Sequence, residues 1–113
     1  MEDKIRQGDL YDFYGMLLNP HQREVFEDYV LNDLSLGEIA ENNGVSRQGV
    51  HDLIRRCTRQ MEEYESKMQL IHKFHLISGN IHEMEKILEE DSSIPEKAGK
   101  SLQKLTEEIL EEI

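Results

Sequence analysis

Apolar residues recur at steps of three and four along most of the chain, and strand-type alternation is absent. The pattern predicts an all-α protein. A first helix is expected over Asp9–Leu18, ending near Asn19-Pro20. Pro20 suits the first turn of a second helix, with Asn19 as its N-cap. Val25, Phe26, Tyr29 and Val30 fall on one face of that helix, which closes at Asn32-Asp33.

Ser35-Leu36-Gly37-Glu38 reads as a capping box opening a short helix from Leu36 to about Asn42. Asn43-Gly44 makes a tight turn, with Gly44 supplying a left-handed conformation, and Ser46 caps the next helix. These offsets are those of a helix-turn-helix. Ala40 is the small residue at the helix crossing, Ile39 points into the core, Val45 seals the turn, and Val50 with Leu53 anchors the second helix.

The second helix is expected to be long. Val50, Ile54, Cys57, Met61, Tyr64, Met68 and Ile71 alternate steps of four and three, a heptad seam for another helix. From Leu70 the stripe moves over by one position, to Leu70, Phe74, Ile77, Ile81, Met84 and Leu88. Ser78-Gly79-Asn80 lies within this second stripe and is read as a kink or a break. Asp91-Ser92-Ser93-Ile94-Pro95 forms a linker, followed by a last helix with Ala98, Leu102, Leu105 and Ile109 on one face. The organisation expected is a helix-turn-helix domain with N-terminal helices over 1–68, a helical extension and dimerisation seam over 69–91, and an acidic C-terminal helix over 92–113.

Composition narrows the function classes. The 113 residues carry a net charge of −11, distributed as −5 over residues 1–34, −1 over 35–68 and −5 over 69–113. Diffuse affinity for polyanions is therefore excluded, and nucleic-acid contact must be local, through the Arg-containing middle block. A single cysteine, Cys57, rules out an intramolecular disulfide and any Cys-based zinc spacing. No signal-peptide pattern and no apolar run of membrane-spanning length occurs, so the protein is expected in the cytoplasm, away from membranes.

With Ser46 as cap, the first turn of the second helix of the motif displays Arg47, Gln48 and His51 opposite Val50. Arginine pairs with guanine edges and glutamine with adenine edges, and Ser46 with the helix N-terminus suits a phosphate. Arg55, Arg56 and Arg59 lie further along, placed to hold a phosphate backbone. The bland readings stand beside these. The same module serves as a protein-binding or structural unit, and Asp52, Glu62, Glu63 and Glu65 dilute the positive face. Gly49 either admits a groove wall or is a helix defect costing roughly 1 kcal/mol. His72, His75 and His82 are spaced by helical turns, but no carboxylate completes a metal set, and Cys57 reads as a small core residue. The remaining carboxylates are read as solvated Glu on helix surfaces. No catalytic constellation, phosphate loop, cofactor site or metal site emerges, and the chain is not expected to be an enzyme.

The runs Leu18-Asn-Pro-His-Gln-Arg-Glu-Val-Phe, Asp33-Leu-Ser-Leu-Gly-Glu-Ile-Ala-Glu and Gly44-Val-Ser-Arg-Gln-Gly-Val-His-Asp-Leu-Ile-Arg-Arg resemble region 4 of sigma factors, without a wing. More closely, with Tyr14 and Glu63-Tyr64-Glu65, they resemble the YlxM-like (UPF0122-type) family of small helix-turn-helix proteins. The likeness covers about residues 8–90. The sigma likeness implies duplex DNA contact through Arg47, Gln48 and His51, although 113 residues leave no room for a complete sigma factor. The YlxM-like likeness implies a part in the signal recognition particle pathway, because genes of that family neighbour the gene of the particle's GTPase. Three roles follow: a DNA-binding regulator, dimeric through the seam after Val50; an accessory partner of the particle's protein or RNA; or a structural adaptor.

Overall fold

The structure, a computed structural model, describes residues 3–113. The protein is all-α and contains a helix-turn-helix. Among the described residues six helices follow one another: α1 (Lys4–Tyr14), α2 (Pro20–Val30), α3 (Leu36–Asn43), α4 (Arg47–Met68), α5 (Leu70–Glu90) and α6 (Glu96–Glu112), with a 3₁₀ turn over Gly15–Leu17 after α1. The chain divides into two compact units, one ending at Ile71 and the other spanning His72–Ile113.

In the first unit, α1 starts five residues before the expected Asp9 and stops at Tyr14, short of Leu18. The Asp3 carboxylate accepts the Ile5 amide at 2.9 Å, so a charged stretch without an apolar signal still carries a helix start. Gln7 extends the buried row of Leu10 and Tyr14 back by one turn, and its Nε2 donates to Thr58 Oγ1 at 3.2 Å. The α2 start is as expected, with Asn19 and Gln22 bonding each other's backbone amides.

The core is built around α4, which packs on α1, α2 and α3. Val50, Ile54, Cys57 and Met61 bury against Leu10, Tyr14, Phe26 and Ile39, and Tyr11 stacks on Phe26 with ring centroids 5.6 Å apart. Burying this aliphatic and aromatic row is what holds four short elements together, at about 1.5–3 kcal/mol for each large side chain.

The seam does not continue unbroken to Ile71. Helix α4 stops at Met68, and Gln69 takes a left-handed conformation with φ 54°. This is the point where the apolar stripe shifts by one position, so the shift marks the break. By contrast, Ser78-Gly79-Asn80, read as a kink or a break, is continuous helix within α5. A Cβ on Gly79 would meet nothing within 4 Å, so this position has no packing role, and the poor helix formers cost propensity without interrupting the hydrogen-bond ladder.

In the second unit, the stretch 91–95 separates α5 from α6, with the Ser93 amide and hydroxyl both donating to the Asp91 carboxylate. These bonds hold the Asp91 carboxyl below its ordinary pKa. Ile81 and Thr106 are this unit's buried side chains among the described residues.

Candidate nucleic-acid interface

The Ser35–Glu38 capping box forms as expected: Ser35 Oγ accepts the Glu38 amide at 3.1 Å and Glu38 accepts the Ser35 amide at 3.0 Å. These bonds hold the Glu38 carboxyl below its ordinary pKa. Helix α3 ends on Gly44 at φ 65°, a conformation that residues with a Cβ resist. The Val45 amide closes the turn onto the Ala40 carbonyl at 3.1 Å, and Asn43 Nδ2 donates to the Ile39 carbonyl at 2.7 Å. Ile39 and Ala40 are buried where α3 meets α4. Val45 departs from its expected role as a seal. Its side chain is half exposed and sits on the rim of a small groove with His21, Val25 and Leu53.

The three-residue turn delivers Ser46 to the N-cap of α4, where its Oγ accepts the Gly49 amide at 3.0 Å. A Cβ on Gly49 would stand 3.2 Å from Ser46 Oγ, a tight contact that a shift of the capping hydroxyl by a few tenths of an ångström would relieve.

Arg47 and Gln48 are exposed in the first turn of α4, and His51 is half-buried one turn on. Arg55 and Arg56 are exposed two turns on, followed by Arg59. Gln48, Asp52, Arg55 and Arg59 share one row at steps of four, three and four, opposite the buried row from Val50 to Met61. From Arg47 to Arg59 the helix rises about 18 Å. None of Arg47, Arg55, Arg56 and Arg59 has an ion-pair partner among the described residues. The acidic residues after them are engaged, Glu62 with Arg6 at 2.7 Å and Glu63 with Lys67 at 3.1 Å. The Glu62 carboxylate raises the Arg6 pKa, so that pair holds its charge.

Two features of the site were not legible as sequence patterns. Gln48 is not free: its Nε2 donates to Asp52 Oδ1 at 3.0 Å, so the exposed carboxamide is held by the one acid on the row. The His51 ring turns Nδ1 inward, 3.7 Å from Asp52 Oδ1 and without a hydrogen bond among the described residues. Beyond them, Asp52, Arg55, Arg56 and Arg59 border an open depression of about 430 Å³. Arg55 and Arg59 also flank a cleft of about 380 Å³ against α1, lined by Arg6, Gln7 and Thr58. The i, i+4 spacing of Gln48 and Asp52 was the available signal for the first feature; nothing local announced the second.

Glu65, read as a solvated carboxylate diluting this face, is instead buried. It continues the row Cys57–Met61 by one more turn, into the core. Among the described residues, no group of three or more His, Cys, Asp or Glu is arranged to hold a metal ion, and no helix is long and apolar enough to cross a membrane. His82 Nδ1 lies 3.2 Å from Glu85, and His75 meets the edge of Phe74.

Residues 1–110 match the model of the family described as "UPF0122: Putative helix-turn-helix protein, YlxM / p13 like". A UPF0122 protein of Thermoanaerobacter sp. (strain X514) is 43% identical over 107 residues, covering 92% of this chain and 87% of the relative. One of Shouchella clausii is 42% identical over 94 residues, covering 83% and 86% respectively. One of Clostridium botulinum is 51% identical over 73 residues, covering 65% and 67%. With its capped α3, glycine turn and α4 already defined, the chain belongs to the UPF0122 family of YlxM / p13-like helix-turn-helix proteins.

Proposed function

We propose that this protein is a cytoplasmic regulator that binds duplex DNA, with the first turns of α4 in the major groove. The observation that carries the reading is the set of unpaired guanidinium groups on α4 of a helix-turn-helix, in a chain whose net charge is −11. Arg55 and Arg59 share one row of α4 with Arg47 and Arg56 to either side of it, and on so acidic a protein this local cluster of cations favours docking of a polyanion through α4. Arg47, Gln48 and His51 would face base edges. Ser46 and the amides of the first turn would meet one phosphate, and Arg55 and Arg56 others, fixing the register. Asp52 acts as a gate on Gln48, releasing the carboxamide when a base edge competes for it.

Amide chemical-shift mapping of the full chain against a randomised duplex tests this. Shifts concentrated on residues 46–56 are expected. Shifts confined to other helices, or none, contradict the reading. The accessory role at the signal recognition particle is the reading to pursue if duplex leaves residues 46–56 unperturbed while the particle's RNA or protein binds.

A further inference from the structure

The unit His72–Ile113 leaves most of its apolar side chains in solvent. Only Ile81 and Thr106 are buried among its described residues, while Leu102, Leu105 and Ile109 on α6 and Ile113 at its C-cap are 42%, 53%, 38% and 39% exposed. Met84 and Ile87 on α5 are similarly open. Two helices of this length do not form a stable core alone, and segments of about 40 residues ordinarily need an added partner. Leu102, Leu105, Ile109 and Ile113 follow steps of three, four and four, so they form one stripe on one face. Thr106, Gly99 and Leu110 lie on the neighbouring face and are covered or half covered.

The other flank of the stripe carries Lys97, Ser101, Lys104, Glu108 and Glu112, again one helical row. Its two cations precede its two anions. None of the four has an ion-pair partner within the chain among the described residues, whereas Lys100, off the row, pairs with Glu96 at 3.2 Å. A row that runs from positive to negative is complementary to itself when reversed. Setting Leu102 of one α6 opposite Ile109 of an antiparallel copy also sets Ala98 opposite Ile113 and brings the two Leu105 side chains together at the centre. The same register brings Lys97 beside Glu112 and Lys104 beside Glu108 of the other copy, because like flanks face each other in antiparallel helix pairs. An isologous contact of this kind needs no other partner and closes on itself.

We propose that the exposed stripe of α6 is the surface on which a second copy of this chain docks, antiparallel and in this register. The seam is α6 itself, not the 69–91 segment to which the apolar periodicity points. The inference is independent of DNA binding.

Sedimentation equilibrium of the full chain at micromolar concentration tests it through a charge swap. Wild type is expected at twice the 13.3 kDa chain mass. Lys97→Glu/Lys104→Glu makes the row wholly acidic, and Glu108→Lys/Glu112→Lys makes it wholly basic. Each variant alone is expected to sediment at the single-chain mass with unchanged helical circular dichroism, and their equimolar mixture at twice that mass. A wild type that stays at the single-chain mass overturns the proposal and leaves the stripe to a different partner. Dimers indifferent to both charge variants, or a mixture that does not recombine, overturn the register.

Discussion

Tyr14, at the end of α1, donates its hydroxyl proton to Glu65, near the end of α4, and the same carboxylate oxygen accepts the Ile71 amide at 3.0 Å. The Tyr14 oxygen in turn accepts the Leu70 amide at 3.1 Å. The first amides of a helix have no partner within it, so side chains from two earlier helices satisfy those at the start of α5. The arrangement lets the chain turn through Gln69 without leaving buried donors unmatched. Tyr14→Phe removes the donor to a buried carboxylate and the acceptor for Leu70 together. It is expected to cost about 1–3 kcal/mol in urea unfolding. An unchanged midpoint would show the pair to be idle.

The same pair sets an alkaline limit. Burial first, and the Glu65 bond second, push the Tyr14 phenol above its ordinary pKa of 10.0. The folded chain therefore binds this proton more tightly than the unfolded chain does. The contribution is whole below about pH 10 and disappears as pH rises through the raised value. Urea midpoints measured above and below about pH 10 should fall with rising pH, and fall less steeply in Tyr14→Phe. Tyr11 is shifted in the same direction, first by burial, so part of the slope persists in the variant.

Cys57 is fully buried in the row that α4 presents to the core, and burial pushes its thiol up to about 11. A thiolate is the reactive form, so modification is expected to be slow in the native protein and to follow unfolding. Timed labelling with an aromatic disulfide checks this; fast labelling without denaturant would place the thiol near solvent.

Ser46 and Gly49 form a coupled pair. Ser46→Ala loses the cap of α4 at a cost of about 1 kcal/mol. Gly49→Ala gains helix propensity of about 1 kcal/mol but crowds the Ser46 hydroxyl at 3.2 Å. The gain should therefore be larger in the Ser46→Ala background than in wild type, and a double-mutant cycle by thermal unfolding reads the difference. Additive effects would mean that the hydroxyl gives way freely.

Asp52 restrains the proposed interface in two ways, by binding Gln48 and by placing a negative charge on the arginine row. Asp52→Ala is expected to tighten duplex binding by roughly 1 kcal/mol, about fivefold in Kd. Weaker binding in the variant would mean that the carboxylate orders a contact that the bound state needs.

Most of the fold was legible because local rules and tertiary packing agree over residues 19–68. Asn19, Ser35 and Ser46 cap where they stand, Gly44 turns, and Val50, Ile54, Cys57 and Met61 are buried. The α1 start was missed because a lone Asp cap and a buried Gln7 give no apolar signal. The break at Gln69 showed in the sequence only as the one-position shift of the apolar stripe, because the Tyr14 hydroxyl that accepts the Leu70 amide after it comes from far away in sequence, while the more conspicuous Ser78-Gly79-Asn80 proved to be ordinary helix. At the interface, the exposure of Arg47, Gln48, Arg55 and Arg56 could be read from helical spacing. The Asp52–Gln48 bond and the inward turn of His51 depend on rotamers, which spacing does not determine.

The most direct test is a fluorescence-anisotropy titration of a randomised duplex pool with the full chain, at two salt concentrations, for wild type, Arg47→Ala/Gln48→Ala and Arg55→Ala. Wild type is expected to bind with a steep salt dependence. The double substitution should weaken binding by about 1–3 kcal/mol per lost base contact, and Arg55→Ala should lower the salt slope by about 1. Duplex binding that ignores all three substitutions, or no duplex binding at either salt, would contradict a role for α4 in reading DNA.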